Sequence, residues 1–253
     1  MNNKEQRKNK VSFPHMGTIS YAWSAALRII GCEPYVEPNT KKKSLSLGTK
    51  HSPEAICLPY KLILGNFIEA IEGGTDYVAM ITSPGCCRLG EYGKCIENAL
   101  KDLGYEAKYL ELQLYDGVKG IYNFLKAASD KNNPPLFIRA IVISILKVFM
   151  IDKLDTKLAY CRAREVKQGD AEKHYNKALK YIDANDTLLG LKKAQKQVDE
   201  EMAKVELNLN KDVLNVDITG EIYVVNDEFS NQSIEKELGR MGVQVRRSLT
   251  VSS

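Results

Sequence analysis

The feature that most constrains this chain is a regular alternation in its first half, where short apolar runs of strand character are separated by longer segments with helical spacing. VSFPHMG, residues 11 to 17, reads as a strand and turn, and SYAWSAALRII follows with apolar residues at helical intervals up to Gly31. EPYVEP is a second extended run. After a polar loop, PYKLILGNFIEAIE sets Leu64, Phe67, Ile68 and Ile71 at the i, i+3, i+4, i+7 positions and closes on Gly73 and Gly74. DYVAMIT is a third strand, KCIENALKDL a helix and KYLELQL a fourth strand. Strands joined through helices pair in parallel, so this order predicts an α/β fold with a doubly wound parallel sheet and helices on both faces.

Beyond residue 117 the pattern changes. Residues 118–212 read as helices only, with NNPP at 132 to 135 as a break and DANDT at 183 to 187 as a capped turn. GEIYVV then reads as a strand, SIEKELGRMG as a helix and VQVRRSLTV as a strand. The chain is thus expected to hold an α/β domain at 1–117, a helical region at 118–212 and a βαβ unit at 213–253. That last unit either completes the first sheet or opens a second, incomplete α/β domain, because parallel strands need cover on both faces.

The net charge of +4 comes from interleaved signs, which argues against a nucleic-acid surface. KEQRKNK near the start and KKK at 41 to 43 read as a solvated tail and a solvated loop. No secretory signal is read at the start. LFIRAIVISILKVFMI, residues 136 to 151, is interrupted by Arg139 and Lys147 and reads as a buried or partly buried helix, short of a membrane span. Six cysteines without an export signal imply a reducing cytoplasm, where thiols act as metal ligands, redox groups or core residues.

Open α/β sheets bind ligands outside the carboxyl ends of their strands, and that rule sorts the cysteines. Cys86 and Cys87, in SPGCCRLGEYG, follow the third strand on that edge. Cys57 ends the loop after the second strand, and Pro59 suits the first turn of the next helix, so Cys57 is expected at a helix N-terminus, where N–H groups and the helix dipole suit an anionic sulfur. Cys32 and Cys95 read as packing residues, Cys95 falling with Ile96, Ala99, Leu100 and Leu103. Cys161 has no evident place. His15 borders the functional edge, His51 lies before Cys57, and His174 has surface-like neighbours; Lys61 and Arg88 flank the cysteines and are available to neutralise an anionic centre. Cys57, Cys86 and Cys87 together fit a metal site, a redox thiol pair or structural thiols; there is no CxxC knuckle, no Walker loop and no GxGxxG.

FPHMGTISYAW, LGTKHSPEAICLPYKLILGNFIEAIEGG and GCCRLGEYGKCIENALKDLGY resemble the 2-hydroxyacyl-CoA dehydratase component proteins, in the branch of CoA protein activases and their relatives; LAYCRARE and GEIYVV with IEKELGRMGV resemble it too. The resemblance implies a flavodoxin-like sheet whose cysteines hold a [4Fe–4S] or double-cubane cluster, with Cys57 and Cys87 as ligands; Cys86 stands where relatives often carry a different residue and is the next candidate by position. It implies that an ATP-dependent activator with its own cluster passes low-potential electrons to the component, for radical chemistry on an acyl-CoA thioester. Relatives continue through a second α/β domain that carries a further cysteine, so either the chain reads as a shortened form or the third ligand is expected from Cys86, Cys95 or a partner subunit, a homodimer being one such arrangement. Alternatives are a binding or scaffold module of the same fold without a cluster, and a zinc-binding structural protein.

Overall fold

A computed structural model describes residues 8–35, 40–82, 88–129 and 132–247. Its chain divides into two compact units, one of residues 1–15 and 26–141 and one of residues 16–25 and 142–253.

In the first unit the alternating pattern becomes β1 (Lys10–Ser12), α1 (Ser20–Ile29, which crosses the division), β2 (Glu33–Tyr35), α2 (Lys42–Lys50), α3 (Leu58–Glu72), β3 (Tyr77–Thr82), α4 (Tyr92–Asp102), β4 (Lys108–Gln113) and α5 (Val118–Ser129). All pairings are parallel and the strand order is β2-β1-β3-β4. This is the doubly wound, flavodoxin-like arrangement expected from the sequence, with its topological switch point between β1 and β3. Register runs from Val11 opposite Tyr77 and from Tyr77 opposite Lys108 through Thr82 opposite Gln113. β3 is buried along nearly its whole length, as a central parallel strand covered on both faces must be.

The long apolar run of α3 has a similar cause. Tyr60, Leu62, Ile63, Leu64, Phe67, Ile68 and Ala70 are all buried, so the helix is covered on more than one face. Part of that cover is α2, in the stretch read above as a polar loop. Its apolar content is low because contact is made by backbone: a Cβ at Gly48 would stand 1.6 Å from the Lys61 carbonyl oxygen, and one at Gly65 would stand 1.8 Å from that of Ser44. Two glycines let the helices touch, and the Ser44 hydroxyl donates to Glu69 at 2.5 Å. The lysines of KKK sit on the first turn of this helix or just before it, not in a loop.

The second unit is mainly helical. Most of α6 (Pro134–Arg164) belongs to it, with α7 (Asp170–Asp183) and α8 (Leu188–Met202). Ile151, Leu154, Leu158 and Cys161 of α6 join Tyr175, Leu179 and Ile182 of α7 and Val198 and Met202 of α8 in one core. Thr187 caps α8, its hydroxyl oxygen accepting from the Gly190 N–H at 3.0 Å. The chain then forms β5 (Asn215–Ile218), α9 (Ile222–Asn226), α10 (Ile234–Arg240) and β6 (Gln244–Arg247). β5 and β6 pair in parallel as a separate two-stranded sheet.

Three expectations need correction here. GEIYVV is not a strand: Ile222–Asn226 is a short helix, because the Glu221 carboxylate accepts from the Val224 N–H at 2.9 Å and caps it, while the strand lies earlier, at Asn215–Ile218. His174 is not at the surface. It is buried, with Nδ1 at 2.8 Å from Glu201 of α8. The apolar stretch of residues 136 to 151 is part of a 31-residue helix that is long and apolar enough to cross a bilayer, with 28% of its most apolar window buried. Lys147 nevertheless faces protein: it is wholly buried, and its ammonium donates to Asp186 at 2.7 Å and to the Asp183 carbonyl at 3.1 Å.

Candidate functional site: a thiol-bearing rim of the parallel sheet

β3 is reached from α3 through the short turn at Gly73 and Gly74, so the far end of α3, its N-terminus, lies toward the carboxyl ends of the strands. Cys57 is the N-cap of that helix, with φ −59° and ψ 148°, and proline stands in the first turn as expected. Its sulfur makes no capping hydrogen bond, and the residue is half-buried. The Cys57 side chain is therefore available to a ligand, beside first-turn N–H groups that favour negative charge.

Cys86 and Cys87 lie outside the described residues. Immediately after them a 3₁₀ turn at Arg88–Glu91 leads into α4. Tyr60, one turn into α3, meets Tyr92, the first residue of α4, edge to face with ring centroids 5.3 Å apart. Such a pair contributes on the order of 1 kcal/mol beyond its area and fixes the two helix starts side by side. The start of the helix that Cys57 caps and the start of the helix entered from residues 86 and 87 are thus neighbours on one rim.

Cys95 corrects an expectation. It is exposed, one turn into α4, whereas Tyr92, Ile96 and Leu100 form the buried face. Burial, with a smaller contribution from the nearby Cys95, pushes the Tyr60 phenol above its ordinary range, so this sulfur belongs to the same neighbourhood. Cys32 is buried as expected, its thiol 3.2 Å from the Ala128 carbonyl oxygen, and Cys161 is buried in the helical core. None of the four described cysteines is bridged in a disulfide.

The remaining candidates divide. His15 follows β1 on the carboxyl rim and is half-buried. Lys61 is occupied, its ammonium donating to the Glu54 carbonyl oxygen at 2.9 Å; Arg88 is exposed on the turn before α4. His51 closes α2 as its C-cap residue. Sequence reasoning missed Tyr60, Tyr92 and the pair at the ends of β3 and β4, where the Thr82 hydroxyl donates to Glu111 at 2.6 Å. The signal available was an aromatic residue in the first turn of each of two consecutive helices. Tyr109 lies below that pair; burial first, then Glu111, pushes its phenol well above the usual range, and its hydroxyl occupies the space where a side chain on Gly93 would stand.

A second concavity, about 170 Å³, lies within the helical unit and is lined by Asp155, Asn226, Glu235 and Arg247 among others. Its polar groups satisfy one another. Asp155 accepts from Tyr175 at 2.5 Å and from Thr18 at 3.3 Å, and Arg247 holds Glu235 through two nitrogens. That network ties α6, α7, α10 and β6 together rather than presenting open donors.

A doubly wound α/β unit carrying thiols on its carboxyl rim defines the class. Residues 15–248 match the family described as the CoA enzyme activase uncharacterised domain (DUF2229), and the chain belongs to that family. No curated protein and no solved structure matches it. Among the described residues no group of three or more histidines, cysteines, aspartates or glutamates is placed to hold a metal ion.

Proposed function

We propose that this member of the CoA enzyme activase-type family is an iron–sulfur component that accepts low-potential electrons from an ATP-dependent activator and delivers them to chemistry on acyl-CoA-type substrates. The observation that carries the reading is the Tyr60–Tyr92 contact, which brings the Cys57-capped start of α3 beside the start of α4, the helix entered from Cys86 and Cys87. The donor set fits in kind: these are soft sulfur ligands on separate segments of one rim. Cys57 and Cys87 are the proposed ligands, Cys86 the next, and Cys95 is the described thiol nearest to joining them. A bound cluster would supply the one-electron chemistry. The chain itself would hold the sulfurs at the α3 N-terminus, where backbone donors offset their charge, and would shield them with the two tyrosine rings.

The test is iron and sulfide quantitation, with visible absorbance, on protein purified without oxygen. Brown, iron-loaded protein that loses its iron in Cys57→Ala and in Cys87→Ala supports the reading. A colourless protein that takes up no iron on reconstitution identifies a binding or scaffold module instead, and stoichiometric zinc identifies a structural metal site.

A further inference from the structure

We propose that the concavity of the helical unit binds a neutral, flat, single-ring molecule that presents a hydrogen-bond acceptor beside a donor, the edge of a primary carboxamide or of a nucleobase. At about 170 Å³ it exceeds the roughly 150 Å³ that suffices for benzene, so a six-membered ring with one small substituent fills it. Met16, Ile19, Val148, Ile151 and Val245 give it apolar walls.

The polar groups are paired with one another, but unequally. The bonds that anchor them are short: Tyr175 donates to Asp155 at 2.5 Å, and Arg247 holds Glu235 through Nε and, at 3.0 Å, through Nη2. The contacts among Thr18, Asp155, Asn226 and Arg247, which line the cavity together, are long. Arg247 Nη1 stands 3.5 Å from Asp155 Oδ2 and 3.4 Å from Asn226 Oδ1, and the Thr18 hydroxyl stands 3.3 Å from the same Asp155 oxygen. Two acceptors and one donor thus converge at separations near the limit of a hydrogen bond, which a ligand replaces with bonds of about 2.9 Å. Burial holds the Asp155 carboxyl above its ordinary range against the pull of Arg247, so a further donor to it is a gain.

The same geometry sets the charge of the ligand. A group within reach of Asp155 Oδ2 and Asn226 Oδ1 is also within reach of Arg247 Nη1, so an ammonium meets a guanidinium and a carboxylate meets Asp155. An uncharged amide edge opposes neither: its N–H donates to Asp155 or Asn226, and its oxygen or ring nitrogen accepts from Arg247. The backbone around the cavity is held in uncommon conformations as well. Gln232 and Ser233, directly before the helix that carries Glu235, have φ of 56° and 57°, and a Cβ at Gly17, beside Met16 and Thr18, would stand 2.6 Å from the Asn226 carbonyl oxygen. Strain of this kind gathers where a site demands it.

Isothermal titration calorimetry of the full chain with benzamide, uracil, benzoate and benzylamine reads this directly. Benzamide or uracil is expected to bind at roughly 0.1–1 mM, and at least about tenfold more tightly than benzoate or benzylamine. The tighter of the two neutral probes assigns the site to carboxamides or to nucleobases; binding of neither, or a charged probe ranking first, overturns the proposal. Asp155→Asn keeps an oxygen for Tyr175 and turns an NH2 group towards Arg247, so the ranking should invert in favour of benzoate by about tenfold. An unchanged ranking overturns the proposal. If that variant lowers the helical circular dichroism, Ala159→Leu, which narrows the cavity and removes no polar group, is the variant to read. It should abolish binding of the neutral probe, and binding that survives it overturns the proposal too.

Discussion

Ser12, Thr40, Ser44, Asn66, Thr75, Thr82 and Ser129 are the polar side chains buried among the described residues of the α/β unit, whereas the helical unit buries, besides Ser20, Ser24 and Asn226, the ionisable Lys147, Arg162, His174, Glu201 and Asp227. Ser44, Thr82 and Ser129 are satisfied by short bonds, while Ser12 Oγ, Thr75 Oγ1 and Asn66 Oδ1 meet no hydrogen-bond partner among the described residues, a cost that an uncharged group can bear. An ionisable group needs a partner of opposite charge or a firm hydrogen bond to stay inside. Arg162 has Glu172 at 2.6 Å, and Glu201 bonds to Lys204 as well as His174. Packing geometry therefore sets the stability of one unit, and charge pairing much of the stability of the other.

The sharpest way to break this contrast is Asp186→Ala. It removes the carboxylate that faces the buried Lys147 ammonium at 2.7 Å, and should cost about 3 kcal/mol, with hydrogen exchange rising in α6 and α7. Lys147→Met removes the charge itself and should cost less than about 1 kcal/mol, because Asp186 is partly solvated already. Urea titration of both variants measures the difference; equal losses would mean that the pair does not govern this unit.

Gly48→Val is the counterpart in the α/β unit. It drives a branched side chain into the Lys61 carbonyl and should cost about 2–3 kcal/mol at any ionic strength, with exchange rising in α2 and α3. A cost that varied strongly with salt would erase the distinction between the units.

Acid should separate them next. The hydrogen bond from Lys204, with help from His174 and Lys177, lowers the Glu201 carboxyl from 4.5 to about 2. A carboxyl lowered on folding stabilises fully above its unfolded value, so this contribution is present at neutral pH and is lost as pH falls from about 4.5 towards 2. Glu201→Gln should flatten that part of the stability profile of the helical unit, as unfolding followed against pH would report.

The smallest effect concerns access. A thiol reagent applied to native protein should modify Cys57 and Cys95 well before Cys32 and Cys161, which require unfolding. Peptide mapping of the labelled sites checks the order, and early labelling of Cys161 would show that the helical core opens.

Much of the α/β unit is legible in its sequence because its signals are local. The runs around β1, β3 and β4 and the stripes of α1, α3 and α4 announce themselves by period, and the rule that ligands gather at carboxyl ends puts Cys57 at a helix start, where it stands. The rest depends on partners distant in sequence or on contacts without apolar side chains. α2 reads as a loop because glycine and serine make its contact. His174 reads as exposed because Glu201 lies 27 positions away. Cys95 reads as a core residue because the buried face of α4 runs through Tyr92 and Ile96, a rotation that periodicity alone places within one residue of error. GEIYVV reads as a strand because its branched residues outweigh, by propensity, a cap that only geometry reveals.

The span between Lys147 and Asp186 also orders events on the ribosome. When the apolar stretch of α6 leaves the exit tunnel, the carboxylate that will receive its ammonium is 39 residues further along the chain, so the side chain must stay hydrated meanwhile. The helical unit cannot close around that lysine until α7 has emerged. For that interval the nascent chain offers a long oily helix marked by a solvated cation, without the cover its own fold later gives it.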